Sequence, residues 1–472
     1  MRPPYALGML LLGSASMGVA AAFAPTMVIA IPLAVAFVVA TFKDLAAGLA
    51  VLVLLTFFEQ FSAGVSIVKV AGAILVAAWL IELLQAGDRS PFLFRDQPAL
   101  AYLLVSFVVW SGLSVLWAVD AERAMASVIR LAQVVLLVFV VFTAIKSAKH
   151  LRWIVLSVVA GAAVTASYGI ASGASLGDSQ RLLGGIGDPN ELAAILVPAA
   201  VFAVFLLQRR LERPIVRLIL LLFLGVSAVS LFLTESRGGL IALGAASFAA
   251  IIWAGPARAR ITPLIAAVGV AAIVYTTGFA SAESRERLGN LSAEGSAGRT
   301  DQWQLATAVA DDHPILGVGL DNFILLENQY VSADVNVLHV GRIIDFQPLV
   351  HNTYLEVLAE LGAVGLALFG AIIVVSLAAT VSAAKRVADQ GDDAVGTLVR
   401  AVGIGVIATL VAFTFLSALY EKQLWLMLGL AASTVTLARV APERAAARPE
   451  LAGLGRPVRP SGSFGAPTPN LE

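Results

Sequence analysis

The residues best able to do chemistry in this chain are arginines beside glycine-rich helix starts, and one histidine at the head of a long apolar run. Arg181 precedes Gly184, Gly185 and Gly187, then Asp188, Pro189, Asn190 and Glu191. Asp188 three residues before Glu191 is a capping-box spacing, with Pro189 at the first helical position. A well-made helix start accounts for those three residues and leaves Arg181 unexplained. An arginine beside exposed helix N–H groups makes an anion site. Arg181 therefore reads either as a phosphate ligand, with Asn190 in the same turn, or as a solvated loop residue. Arg237 follows Thr234, Glu235 and Ser236 in a very short turn between two apolar helices, and Gly238 and Gly239 come next. Ionisable residues at membrane depth are costly and usually functional. The paired glycines leave room for a bulky group to approach the backbone. The other reading is an interfacial arginine snorkelling to lipid headgroups.

Arg299 opens a short helical stretch that includes Trp303. It is either a third phosphate or sugar contact or a loop residue. Trp303 either lies on the membrane surface or stacks on a sugar. Asp311, Asp312 and His313 before Pro314 resemble a metal cluster, but a helix end before a proline explains them, and no metal site is expected. His351 begins a run of about thirty apolar residues, longer than the ~20 needed to span a bilayer. Its first two turns are expected to stand in a cavity. A helix N-terminus keeps a histidine neutral and able to accept a proton; the alternative is a capping histidine. Thr353 and Glu356 form another capping-box spacing. Tyr354, Glu356 and Glu360 are secondary candidates.

These residues need a scaffold, and composition supplies its class. Of 472 residues, 59% are hydrophobic and 13% charged, with mean hydropathy +0.90; soluble domains carry about 25% charge. Repeated apolar runs match a ~30 Å hydrocarbon core. The chain reads as an all-α polytopic membrane protein with about 12–14 transmembrane helices and a large outward-facing loop containing short helices. Net charge is zero and cysteine is absent. That excludes disulfides, thiol nucleophiles and cysteine metal sites, and bulk charge points to no nucleic acid. Leu7 to Phe23 followed by Ala24 and Pro25 could pass for a signal peptide; apolar segments follow at once, and an uncleaved first helix is expected.

Spans are expected near 6–23, 26–41, 45–58, 67–84, 99–117, 127–145, 151–172 and 191–208. Others follow near 215–233, 237–253, 262–279, 353–383, 401–418 and 422–438. With the N-terminus inside, the basic clusters of the short loops fall on one side, including Lys43, Arg209, Arg258, Lys385, Arg386 and Arg400. The polar stretch preceding His351 then faces outward. The expected organisation is a bundle over 1–279, an outer loop over 280–352, C-terminal spans over 353–438 and a disordered cytoplasmic tail over 439–472. Arg123, Arg181, Arg237 and Glu421 fall on the outer side with the loop.

The motifs together resemble the bacterial O-antigen ligase/polymerase superfamily of membrane glycosyltransferases. They are Arg181 with Asp188-Pro189-Asn190; Ser236-Arg237-Gly238-Gly239; Gly298-Arg299; His313-Pro314 with Gly317, Gly319, Asn322 and Phe323; and His351-Asn352 with Tyr354, Leu355, Glu360 and Gly362. They cover residues 180 to 370. The resemblance implies a multi-pass enzyme of the cytoplasmic membrane whose site faces the periplasm or cell exterior. It implies a glycan donor on undecaprenyl diphosphate, a glycan, lipid or protein acceptor, and metal-independent inverting transfer without a cofactor. In that family, outer-face arginines bind the diphosphate and a loop histidine is the proposed base. Ligase and polymerase remain alternatives, and a divergent relative is associated with bicarbonate transport. A transporter places charges near the bilayer midplane; here the spans are poor in them.

Overall fold

The computed structural model describes residues 25–59, 67–87, 90–173, 181–184, 187–208, 213–274, 277–278, 285, 299–331 and 349–446. The expected first span and most of the tail lie outside them. Among the described residues the secondary structure is helical, with no β-strand.

The bundle begins with α1 (Pro25–Lys43) and α2 (Leu45–Thr56), separated by Asp44 alone, then α3 (Ile67–Ala86) and α4 (Pro98–Leu113). Long helices α5 (Ala121–Ala144) and α6 (Ala148–Ser172) follow, then α7 (Pro189–Leu207), α8 (Pro214–Leu233), α9 (Arg237–Trp253) and α10 (Arg258–Val274). Two loop helices, α11 (Arg299–Asp312) and α12 (Phe323–Val331), precede α13 (Thr353–Asp389), α14 (Asp393–Ala412) and α15 (Lys422–Ala446). Every expected span from 26–41 onward falls on one of these helices. Eight are long and apolar enough to cross a membrane, and shorter apolar helices add to them.

Local sequence sets the helix starts. Asp44, Asp120, Ser147, Asp188, Ser236, Asn352 and Asp392 each accept a backbone N–H from the first turn. Each such cap contributes about 1 kcal/mol. The core lies where α14 is enclosed by α7, α9, α13 and α15. Trp425 of α15, Phe107 of α4 and Phe369 of α13 are fully buried and mutually packed.

The structure departs from three expectations. Arg400, expected in a connecting loop, lies in the second turn of α14, buried against Gly255; α14 starts eight residues earlier than its apolar run because Asp392 caps it. The run from residue 353 is not one straight helix. Gly362 (φ +67°, ψ −170°) breaks it, leaving Thr353 to Leu361 as a separate head. The third concerns the cap of that head: Asn352, not Thr353, accepts from Tyr354 N and Leu355 N. Thr353 instead donates to the Leu416 carbonyl at 2.7 Å and accepts from Ala418 N at 3.0 Å.

Loop residues repair the break. Val318 N donates to Ala359 O at 3.0 Å, Gly319 N to Glu360 O at 2.9 Å and Ala363 N to Pro314 O at 2.8 Å. Trp110 of α4 donates from its indole to Leu361 O at 3.0 Å. Carbonyls freed by the break thus find partners inside the protein, as buried backbone requires. The fit is close at both glycines. A Cβ on Gly362 would stand 2.1 Å from Ile315 O, and one on Gly317 would stand 2.3 Å from Glu360 O.

Candidate active site

The predicted residues gather at one end of the bundle, where α7, α9 and α13 begin and α8 ends. The turn from Thr234 to Ser236 is sharp, with Glu235 left-handed at φ +50°. Arg181 donates from Nε to Thr234 O at 2.9 Å and from its terminal nitrogen to Asn190 Oδ1 at 3.2 Å. Ser236 donates to the same Asn190 oxygen at 3.0 Å while accepting from Gly239 N at 3.1 Å. Leu182 N donates to Leu233 O at 3.0 Å. Arg181 and Asn190 thus lock the head of α7 to the turn that carries Arg237. Both glycines after Arg237 are closely covered. A Cβ on Gly238 would meet Phe415 at 2.8 Å, and one on Gly239 would meet Ala193 at 2.5 Å.

Phe415 carries the loop helix to this turn. Its ring centroid lies 6.3 Å from that of Trp303, one turn beyond Arg299. Arg299 comes close enough to Arg237 and Asp188 to feel both charges. Burial lowers the Arg299 pKa from its usual value; Asp188 opposes the shift and the Arg237 charge adds to it. Two guanidinium groups from motifs sixty residues apart therefore lie close enough to interact electrostatically; Arg237 opens α9, and Asp188, which also acts on Arg299, caps α7. Like charges at helix N-termini favour an anion between them.

His351 stands at the head of α13 in the left-handed region, at φ +52°. Its N–H donates to Ser417 Oγ at 3.0 Å. The segment Phe415 to Ala418 therefore touches every part of this end: Gly238 and Trp303 through Phe415, Thr353 through Leu416 and Ala418, and His351 through Ser417. Tyr354 turns inward and donates to Leu410 O at 2.8 Å, which makes it a tie between α13 and α14.

Glu356 and Glu360 point to a second cluster. Both are buried. Glu360 accepts from Asp321 N at 2.8 Å, and Glu356 lies beside the Ser417 hydroxyl. Asp321, itself left-handed at φ +59°, accepts from Ser127 at 2.6 Å, Arg123 at 3.0 Å and Arg130 at 3.4 Å. Arg123 also donates from Nε to Asp321 O at 2.7 Å. Asn322 pairs with the Asp120 backbone in both directions, at 2.6 and 3.3 Å. Arg130 lies 5.4 Å above the Tyr420 ring. Burial, with the carboxylates of Glu360, Asp321 and Glu356 nearby, holds the Tyr420 phenol well above its usual pKa.

Sequence reasoning missed Asp321, Phe415 and Ser417. Arg123 was expected on the outer side with the loop, but nothing in its spacing names Asp321 as the partner. Asp311, Asp312 and His313 are exposed. Asp312 accepts from Tyr330 at 2.8 Å. Among the described residues no group of three His, Cys, Asp or Glu could hold a metal ion. Below the arginines, α7, α8, α9 and α10 enclose an apolar cavity; Leu231 and Phe232, just before Thr234, line it with Val197 and Leu243.

Residues 222–370 match the family model Wzy_C, described as O-antigen ligase. The matched segment holds Arg237, Arg299 and His351; Arg181 lies before it. No curated protein matches the chain. Over that segment, about a third of the 472 residues, the chain is similar to the O-antigen ligase family.

Proposed function

We propose that this protein transfers a glycan from an undecaprenyl diphosphate-linked donor to an acceptor hydroxyl at the outer face of the cytoplasmic membrane. The observation that carries the reading is the meeting of Arg237 and Arg299 beside two helix starts, at the end of the bundle that also holds His351. The donor diphosphate binds between the arginines, with Arg181 and Asn190 fixing the turn beneath. The apolar cavity lined by Leu231 and Phe232 suits its prenyl tail. As the anomeric C–O bond breaks, charge grows on the leaving diphosphate oxygen. Arginines placed there stabilise the transition state more than the ground state. Neutral His351 takes the proton from the acceptor hydroxyl as that oxygen attacks the anomeric carbon. Attack opposite the leaving group inverts the centre. No step calls for a metal, and activity is expected to persist in EDTA; loss in EDTA with rescue by a divalent cation contradicts this mechanism.

The decisive test is deletion of the gene, with analysis of surface glycans and of lipid-linked intermediates. Long chains accumulating on lipid indicate a ligase; single repeats indicate a polymerase. Unchanged glycans and intermediates exclude both. Orientation is tested separately. Cysteines placed at Glu294 and Asn328 should react with impermeant reagents from outside, and ones at Arg258 and Arg386 should not. The reverse pattern puts the arginines on the wrong side for an outer-face donor.

A further inference from the structure

Helix α11 carries more than Arg299. One of its faces, with Leu355 of α13, lines an open cleft of about 420 Å³. Thr300, Gln304, Thr307 and Asp311 recur along it at helical spacing, and so stand in one row. Gln304, Thr307 and Asp311 are exposed. The row carries two hydroxyls, an amide and a carboxylate; the Thr307 hydroxyl donates to Trp303 O at 2.7 Å and keeps its lone pairs as acceptors. Trp303 forms one wall. Its ring is half-buried, and its indole N–H is buried with no hydrogen-bond partner among the described residues. Buried tryptophan N–H groups normally have one.

We propose that this cleft binds saccharide, and that the occupant is the glycan of the lipid-linked donor, in the sugars next to the diphosphate. Sugars present hydroxyls that both donate and accept, and a C–H face that suits the electron-rich face of an indole. The direction of the chain follows from Arg299, which adjoins Thr300 at the head of the cleft and lies close to Arg237. A diphosphate at these arginines starts the glycan along α11. From Thr300 to Asp311 the helix advances about 16 Å, enough for more than one sugar. The lining holds one carboxylate and no cationic side chain. Neutral or amino sugars therefore fit, and uronic acids do not.

The donor assignment rests on the proposed function; saccharide binding can be measured without it. The probe for binding is the host's own oligosaccharide, released by mild acid from its lipid carrier so that it lacks both lipid and phosphate. It is titrated onto the full-length protein in nanodiscs by calorimetry. Wild-type protein should bind it. Thr307→Trp, which fills the cleft from an exposed position, should weaken binding about tenfold, the scale of one lost aromatic contact. Trp303→Ala should do the same, but its ring packs on Phe415, so Thr307→Trp and Asp311→Ala carry the test should that variant fold poorly. In transfer assays Thr307→Trp should raise KM for the donor by a similar factor, leaving kcat and acceptor KM near wild type. Equal binding by wild type and Thr307→Trp overturns the cleft. A rise confined to acceptor KM overturns the donor assignment and places the acceptor glycan there. A wild-type protein that binds the oligosaccharide but transfers nothing refutes the proposed function and leaves the cleft standing.

Discussion

Two groups of arginines share one end of this bundle, and their surroundings give them opposite roles. Arg123 and Arg130 on α5 both reach Asp321, whose carboxylate also accepts from Ser127. Their charge is answered within the protein, and they fasten the loop between α10 and α13 to α5. Arg237 and Arg299 come from two separate motifs and raise each other's electrostatic cost, with Asp188 as partial compensation. Guanidinium groups bonded to a built-in carboxylate are fastenings; in the proposed mechanism, two brought close together also suit an added anion. The head of α13 shows a related division: Asn352 is committed to the helix start through its side chain, and the His351 backbone N–H donates to Ser417.

The contrast breaks most sharply at His351. His351→Ala should lower turnover by ~10²–10⁴, the contribution of a positioned general base. Donor binding should be unchanged, because the arginines remain. Isolated membranes supplied with lipid-linked donor give both quantities. Retained turnover in His351→Ala would remove the histidine from the chemistry and leave it as a strained helix lead-in.

Arg237→Ala comes next. Removing one donor from an oxyanion site costs ~10²–10³ in turnover, and here donor binding should fall as well. Protein level in the membrane should stay near normal, since Gly238, Gly239 and the Ser236 cap remain. Arg237→Lys should recover only part of the activity, because lysine lacks the two-pronged contact to phosphate. Near-wild-type transfer by Arg237→Ala would return this residue to the role of an interfacial anchor.

The helices were legible in the sequence because apolar runs of bilayer length leave few alternatives. The break at Gly362 was not. Glycine is common in membrane helices, and only the approach of residues 314 to 319 makes this one a corner. The arginines were legible one at a time, since each sits beside a glycine or a cap. Their meeting was hidden, because Phe415 and Trp303 create it and neither has a local signature. Glu356 and Glu360 were read as facing a cavity. Their burial against Asp321 depends on a contact across about forty residues that no local pattern encodes. Thr353 was assigned a cap that Asn352 performs, because both residue types cap well and the spacing to Glu356 favoured the wrong one.

Asp321→Asn tests the fastening half of the contrast. Asparagine tolerates the left-handed backbone at this position, so the substitution removes charge with little added strain. Weakening these hydrogen bonds should cost about 1–3 kcal/mol, read as a lower melting temperature in detergent. Transfer below that temperature should fall far less than in Arg237→Ala. A loss of transfer as deep as that of Arg237→Ala, in protein that remains folded, would put Asp321 in the chemistry and erase the distinction between the two arginine groups.

The smallest effect belongs to Asn352→Ala. Asn352 Oδ1 accepts from Tyr354 N at 3.0 Å and Leu355 N at 3.1 Å, and its loss should cost about 1 kcal/mol of local stability. The first turn of α13 has other supports: Thr353 is tied to Leu416 and Ala418, and the His351 N–H to Ser417. The head should therefore keep its place, and turnover should fall by less than tenfold. Comparing Asn352→Ala with Ser417→Ala sharpens this. Ser417 holds the His351 backbone in its left-handed turn, so its loss should lower turnover more than the loss of the cap while costing no more stability. If Asn352→Ala instead abolishes transfer in folded protein, the amide does more than begin a helix, and the division at the head of α13 between a holding residue and a reacting one is wrong.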